Sequence, residues 1–203
     1  MKILVFGATG GTGRHLVEHA LRQQHDVTAF VRDPNRLPFR DQRLTVVTGD
    51  VRHPEAVRNA VAGQEAALSA LGVRPGTSPV VAEGVGNIIT AMEVHGVQRL
   101  IVESAFGVTD THRGFYAAVL WRLIKPLMRD KEAMEALVRK TSLEWTLVRP
   151  TALTNGKRRG TYRSGTDLPV SLYPCISRAD VADFMLSQLT DGSYIHDTPT
   201  VTY

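Results

Sequence analysis

Apolar positions in this chain fall into short runs, separated by stretches with helical spacing. The runs that read as strands are KILVF (2–6), DVTAFV (26–31), LTVVT (44–48), EAALSAL (65–71), QRLIVES (98–104), EWTLVRP (144–150) and PTVTY (199–203). Most lack polar-out alternation, the pattern of strands covered on both faces. Between them, Leu16, Val17, Ala20 and Leu21 make one helical face, and Val57, Ala60 and Val61 a second. Val81, Val85, Ile88, Ile89 and Met92 make a third, with Gly96 as its C-cap. Met134, Leu137 and Val138 make a fourth. Val181, Phe184, Met185 and Leu189 make a fifth, opened by Ser177 with Asp180 three residues on, as in a capping box.

Repeating strand–helix units predict an α/β fold, a doubly wound parallel sheet of the Rossmann type. A single domain over 1–203 is expected, with loops at 105–130 and 151–176 on its substrate side. Ligands of such sheets bind beyond the carboxyl ends of the strands. Function is therefore sought just after residues 6, 31, 48, 71, 104 and 150.

Composition narrows the classes. A net charge of +4 over 203 residues is too weak to argue for nucleic acid. The single cysteine, Cys175, excludes an internal disulfide and fits a reducing compartment. No leader pattern precedes the first strand, and Arg122, Lys125 and Pro126 break the longest apolar region, so a cytoplasmic protein without a membrane span is expected.

The first strand ends in FGATGGTG, where Gly7, Gly10 and Gly13 give G-x-x-G-x-x-G with Gly11 as an extra. Such glycines permit a tight turn, close backbone approach to a pyrophosphate, and close packing of helix on strand. The pyrophosphate then meets free N–H groups at the helix start, with Thr9 and Thr12 in the same loop. The motif's required context is present: an N-terminal strand before it, a helix after it, then another strand. Where NAD-specific proteins carry an acid for the ribose hydroxyl, the second strand here ends in Arg32, with Arg36 and Arg14 within reach. A guanidinium there suits a 2′-phosphate, so NADPH is expected over NADH. Asp33 is the rival, one residue of register away. Asp50 and Val51 are placed to meet the adenine, and Leu71 and Gly72 to lie along the cofactor.

His15, Glu18 and His19 match H-x-x-E-H, a metalloprotease spacing. They share the side of their helix opposite Leu16 and Ala20, so they are expected to face solvent, and no metal site is assigned.

FGATGGTG, VTAFVRDPNRLP, VVTGDV, VAGQEAALSALG, EGVGNIITAMEVHGV, SAF and ISRADVADFML follow one another in an order and spacing that resemble the atypical short-chain dehydrogenase/reductases. The likeness is to the biliverdin IXβ reductase/flavin reductase branch and spans most of the chain. It implies a monomeric NADPH-dependent reductase of free flavin, or of biliverdin or quinone-like molecules. It implies that Ser104 lies beside the nicotinamide and orients substrate, its hydroxyl meeting either one. Lys131 corresponds to a cofactor-facing position; its plain alternative is an exposed i,i+4 pair with Glu135. Pro150 and Thr151 lie where backbone pins the nicotinamide carboxamide. The family's substrate-side histidine maps onto Ala152, which weakens the biliverdin reading. Related NmrA-like proteins bind the cofactor without turnover, so a non-catalytic NADP(H) sensor is the alternative.

No Tyr-x-x-x-Lys pair is present: Leu120 follows Tyr116, and Thr166 follows Tyr162, at that spacing. Carbonyl reduction needs an acid for the alkoxide, whereas a conjugated ring can take its proton from water. Lys157, Arg158, Arg159 and Arg163 with Tyr162 form a basic loop, either solvated or drawing phosphate or propionate groups to the cleft. The apolar stretch 114–124 reads as a lid, a dimer contact or a buried helix.

Overall fold

In the computed structural model, residues 1–72, 80–108, 115–171 and 174–203 are described, without the side chains of 115–126. β1 (Lys2–Phe6) turns into α1 (Gly11–Arg22), then β2 (Asp26–Val31), β3 (Leu44–Thr48), α2 (Pro54–Val61) and β4 (Ala66–Ser69). α3 (Val81–His95), β5 (Arg99–Glu103), α4 (Phe115–Val138) and β6 (Glu144–Pro150) follow. The chain continues through β7 (Ala152–Thr154), β8 (Arg163–Gly165), β9 (Cys175–Ser177), α5 (Arg178–Ser187) and β10 (Thr200–Thr202).

The main sheet runs β3-β2-β1-β4-β5-β6-β10-β8, and β7 pairs with β9 separately. Every pairing in the main sheet from β3 to β10 is parallel; only β8 runs antiparallel. The first six strands keep the dinucleotide-binding order 3-2-1-4-5-6, so the strand order reverses between β1 and β4. A crevice opens there because the crossovers leave in opposite directions.

Alternation along β1 divides the core. Ile3 and Val5 face α1 and α5; Leu4 and Phe6 face α2, α3 and α4. Both faces are covered, as the unbroken apolar runs predict. β3 is the exception: it lies at the sheet's edge, and Val46 is exposed. α3 ends on Gly96 in the left-handed conformation, as expected. Its start lacks a side-chain cap of its own; Asp130 of α4 instead accepts from Val81 and Ala82 N–H at 2.9 and 3.1 Å. α5 opens on Ser177, whose Oγ accepts from Asp180 N–H at 3.0 Å. The reciprocal half of a capping box is missing, because Asp180 instead accepts from Arg159 and Gly160 N–H.

Residues 115–124 belong to α4. Whether they form lid, dimer contact or buried helix lies outside the described residues. Among the described residues no helix is long and apolar enough to cross a membrane.

Candidate functional site

A cleft of about 1140 Å³ crosses the carboxyl ends of the strands. That exceeds the roughly 300–1,000 Å³ of a single small-molecule pocket. Thr9, Gly10, Gly11 and Thr12 line its middle, with Gly7 at the turn behind them. Gly7 has φ +74°, and a Cβ there would strike the Ala70 carbonyl just past the end of β4. Gly13 lies beneath the cleft: its missing Cβ would collide with the Gly7 carbonyl, and would come within 2.9 Å of Ala8 Cα. The helix can dock on the strand only with glycine at 13, which is the packing role the spacing predicts. α1 has Gly10 as N-cap, no side-chain cap and no acid in its first turn. Its first N–H groups and the positive end of its dipole are thus left without a side-chain cap. This cradle fits a pyrophosphate.

At one end stand Arg14, Arg32 and Arg36. Arg14 Nη2 donates to the Arg36 carbonyl at 3.0 Å, tying the first turn of α1 to the loop after β2. Arg32 is exposed, in the place expected for it. Asp33 is not part of the lining; its Oδ1 accepts from Asn35 N–H at 3.0 Å and caps a short turn. Asp50 lines the cleft but is held by Arg52, through Nε at 3.1 Å and Nη2 at 2.7 Å. That hydrogen bonding takes its carboxyl down to about 2, against the opposing effect of burial. Val51 and Leu71 supply apolar wall beside it, and among the described residues nothing lies within 4 Å of where a Cβ on Gly72 would sit.

At the other end Ser104, Lys131, Pro150, Thr151 and Ala152 line the cleft together, although they come from the end of β5, from α4 and from β6 and β7. Lys131 is only 8% exposed, and its Nζ donates to the Glu103 and Ser104 carbonyls at 3.0 and 2.9 Å. The exposed pair with Glu135 does not form. Burial lowers the Lys131 ammonium below its ordinary range, opposed by the carboxylates of Glu103, Glu135 and Asp130. One turn earlier on α4, where a Tyr-x-x-x-Lys pair would place its tyrosine, Leu127 lines the wall.

Two residues here were not anticipated. Glu103 is buried at the end of β5 and lines the cleft; burial pushes its carboxyl up, against Lys131, the Thr12 hydroxyl and Arg178. The sequence did carry a signal: a glutamate inside a strand covered on both faces must itself be buried. Arg178, the first residue of α5, brings a guanidinium to the glycine loop, its stem crossing Gly11 and its Nη1 donating to Asn155 at 2.7 Å.

Two expectations are corrected. The basic loop does not border the cleft: none of Lys157, Arg158, Arg159, Tyr162 and Arg163 is in its lining. Arg158 and the Tyr162 hydroxyl instead bond Asp183 of α5, and the Arg159 guanidinium lies 4.1 Å over the Tyr203 ring. His19 does not face solvent. It is 6% exposed, because α1 packs against α5 as well as against the sheet. Its Nδ1 has no partner, and burial, then His15, lowers its pKa. His15, Glu18 and His19 do bring ligand atoms within 4.8 Å of one another, with Glu18 also holding Arg22 at 2.6 Å.

A family model described as NAD(P)H-binding matches residues 7–192. Among curated relatives, the photosystem II assembly factor Ycf39 of Synechocystis is 25% identical over 91% of this chain, which spans 57% of that protein's length. YwnB of Bacillus subtilis is 26% identical, with 99% of this chain and 98% of that protein covered. Of solved structures, ChuY from Escherichia coli O157:H7, titled an anaerobilin reductase, superposes with TM-score 0.81 at 21% identity, over 99% of this chain and 96% of that one. A short-chain dehydrogenase/reductase from Veillonella parvula, in complex with NADP, does so with TM-score 0.83 at 18% identity, over 100% and 94%. At such identities the structures show the fold alone. With the family model covering most of its length and its glycine cradle at the switch of strand order, the chain belongs to the NAD(P)H-binding family, with a Rossmann fold.

Proposed function

We propose that the protein is an NADPH-dependent oxidoreductase whose acceptor is a planar conjugated molecule, first of all a free flavin. The observation that carries this is the cleft's division of labour. Three arginines stand at the adenosine end, and a buried Ser104–Lys131 pair, with no partner tyrosine among the described residues, stands at the other.

Arg32, with Arg36 and Arg14, would hold the 2′-phosphate; the N–H groups of Gly11 and Thr12 would hold the pyrophosphate. Lys131 has three hydrogens and gives two to backbone carbonyls, so its third is available to the nicotinamide ribose. Pro150 and Thr151 would fix the carboxamide. When bound, reduced nicotinamide supplies a hydride. The residues around it align donor and acceptor rings and exclude water, which is worth more here than acid catalysis. Leu127, Met128 and Leu153 give that end apolar walls suited to a flat ring. ChuY, named an anaerobilin reductase, shares this fold, which supports tetrapyrrole-like molecules as further acceptors.

The likeness to Ycf39 favours a second reading, in which NADP(H) is bound and not turned over. Purified protein mixed with NADPH and FMN decides between them. Loss of absorbance at 340 nm is the expected result; NADPH binding with no oxidation across flavins, bilins and quinones would establish the sensor instead.

A further inference from the structure

Ser104 faces the cleft with its only hydrogen already given away. Its Oγ donates to Glu135 Oε1 at 2.6 Å, and both residues are buried. Glu135 has no hydrogen to return. Arg149 reaches it through Nε to Oε1 at 3.0 Å and Nη2 to Oε2 at 2.7 Å, and Arg139 Nη2 lies 3.3 Å from Oε2. Burial would raise the carboxyl, but the hydrogen bonds from Arg149 and Ser104 outweigh it and keep the group ionised. An ionised carboxylate only accepts. A serine hydroxyl has one hydrogen and two lone pairs, so Ser104 presents lone pairs alone to whatever lies against it. Its backbone carbonyl is already occupied by Lys131.

We propose that Glu135 is a positioning residue that fixes Ser104 as a hydrogen-bond acceptor, so the cleft selects molecules bringing an N–H edge, imide or lactam, over those bringing only carbonyl oxygens. This rests on the reductase reading and sharpens it. A quinone oxygen placed against Ser104 sets lone pair against lone pair and leaves two buried groups unsatisfied. A site built around a hydrogen bond rejects the analogue that lacks it far more strongly than an apolar pocket rejects a methylene. Oxidised flavin carries an imide N–H and open-chain tetrapyrroles carry lactam N–H groups; a naphthoquinone has neither.

The test compares riboflavin with 3-methylriboflavin, whose imide hydrogen is replaced, by flavin fluorescence quenching on the NADP⁺-loaded protein. NADPH oxidation with both flavins and with menadione is followed alongside. The expected wild-type preference for riboflavin is about tenfold or more, the weight of one buried hydrogen bond. In Glu135→Gln, the amide oxygen takes the Oε2 place, where Arg149 Nη2 and Arg139 Nη2 both donate, and the amide N–H₂ takes the Oε1 place, giving up the Arg149 Nε bond and facing Ser104, which frees the hydroxyl to donate outward. The preference should then fall below about threefold, and menadione should gain relative to riboflavin. Ser104→Ala should also erase the preference, and it carries the test if Glu135→Gln does not fold. Both variants should keep the NADP⁺ dissociation constant. The proposal is overturned by a wild-type ratio near one, by a ratio that survives Ser104→Ala, or by variants that lose NADP⁺ instead, since Ser104 would then serve the cofactor. Absence of flavin binding also overturns it. Selective flavin binding without any NADPH oxidation leaves it standing and rejects the reductase reading.

Discussion

Thr12 Oγ1 donates to Glu103 Oε1 at 2.9 Å, joining the glycine loop to the end of β5 across 91 residues of chain. The bond links the phosphate cradle to the strand that carries Ser104. Thr12→Val removes the donor and leaves a buried carboxyl oxygen unpaired, at a cost of about 1–3 kcal/mol. Thermal unfolding should show it as a fall of about 2–4 °C per kcal/mol in a chain of this size. The same site sets a pH dependence. Glu103 has a raised folded pKa, so its contribution is intact at low pH and is lost as pH rises through that value. Glu103→Gln should be relatively more stable at pH 8 than at pH 5, and an unchanged difference would show that Glu103 ionises normally.

Arg32→Ala should weaken NADPH by about 1–3 kcal/mol and NADH hardly at all, since only the phosphorylated ribose meets a charge-assisted partner there. Arg32 is exposed, so the effect should shrink as salt rises. Fluorescence titration with both nucleotides measures it. Equal losses would place Arg32 away from the 2′ position.

His19 gives a signal in the acid range. Its folded pKa is depressed below 6.5, first by burial and then by His15. The unfolded chain therefore binds the extra proton first, and stability falls as pH drops through 6.5 toward the folded value. His19→Gln should flatten that part of the curve relative to wild type in urea unfolding between pH 5 and 8. Parallel curves would mean that His19 charges freely inside the fold.

Gly13→Ala sets a Cβ against the Gly7 carbonyl and Ala8. Backbone cannot yield as a flexible side chain does, so the cost should reach or exceed the roughly 1–3 kcal/mol of ordinary overpacking. A lower Tm and a weaker NADPH complex should appear together. Intact affinity in a destabilised protein would separate helix docking from phosphate binding.

The strands at 2–6, 26–31 and 144–150 were legible because an apolar run covered on both faces shows no polar-out alternation, and the edge strand at 44–48 because LTVVT is rich in β-branched residues. The cradle and the arginine end were legible because glycine spacing and a missing acid are local facts. β7, β8 and β9 were not: three residues are too few to show a period. His19 and the basic loop were misplaced for one shared reason. α5 lies over the sheet beside α1, and the residues it brings against α1 and the basic loop, Asp183 above all, are distant in sequence from both. By spacing alone Lys131 fits an exposed pair with Glu135, and only the resemblance assigned it a cofactor-facing place; its burial depends on β5 ending beneath it.

Because Gly13 is demanded by the Gly7 carbonyl, it would be retained even in a descendant that had abandoned nucleotides altogether. The fingerprint is thus a record of carpentry as much as of cargo. Arg32, which supports nothing in the framework, is the more truthful witness to what the crevice carries.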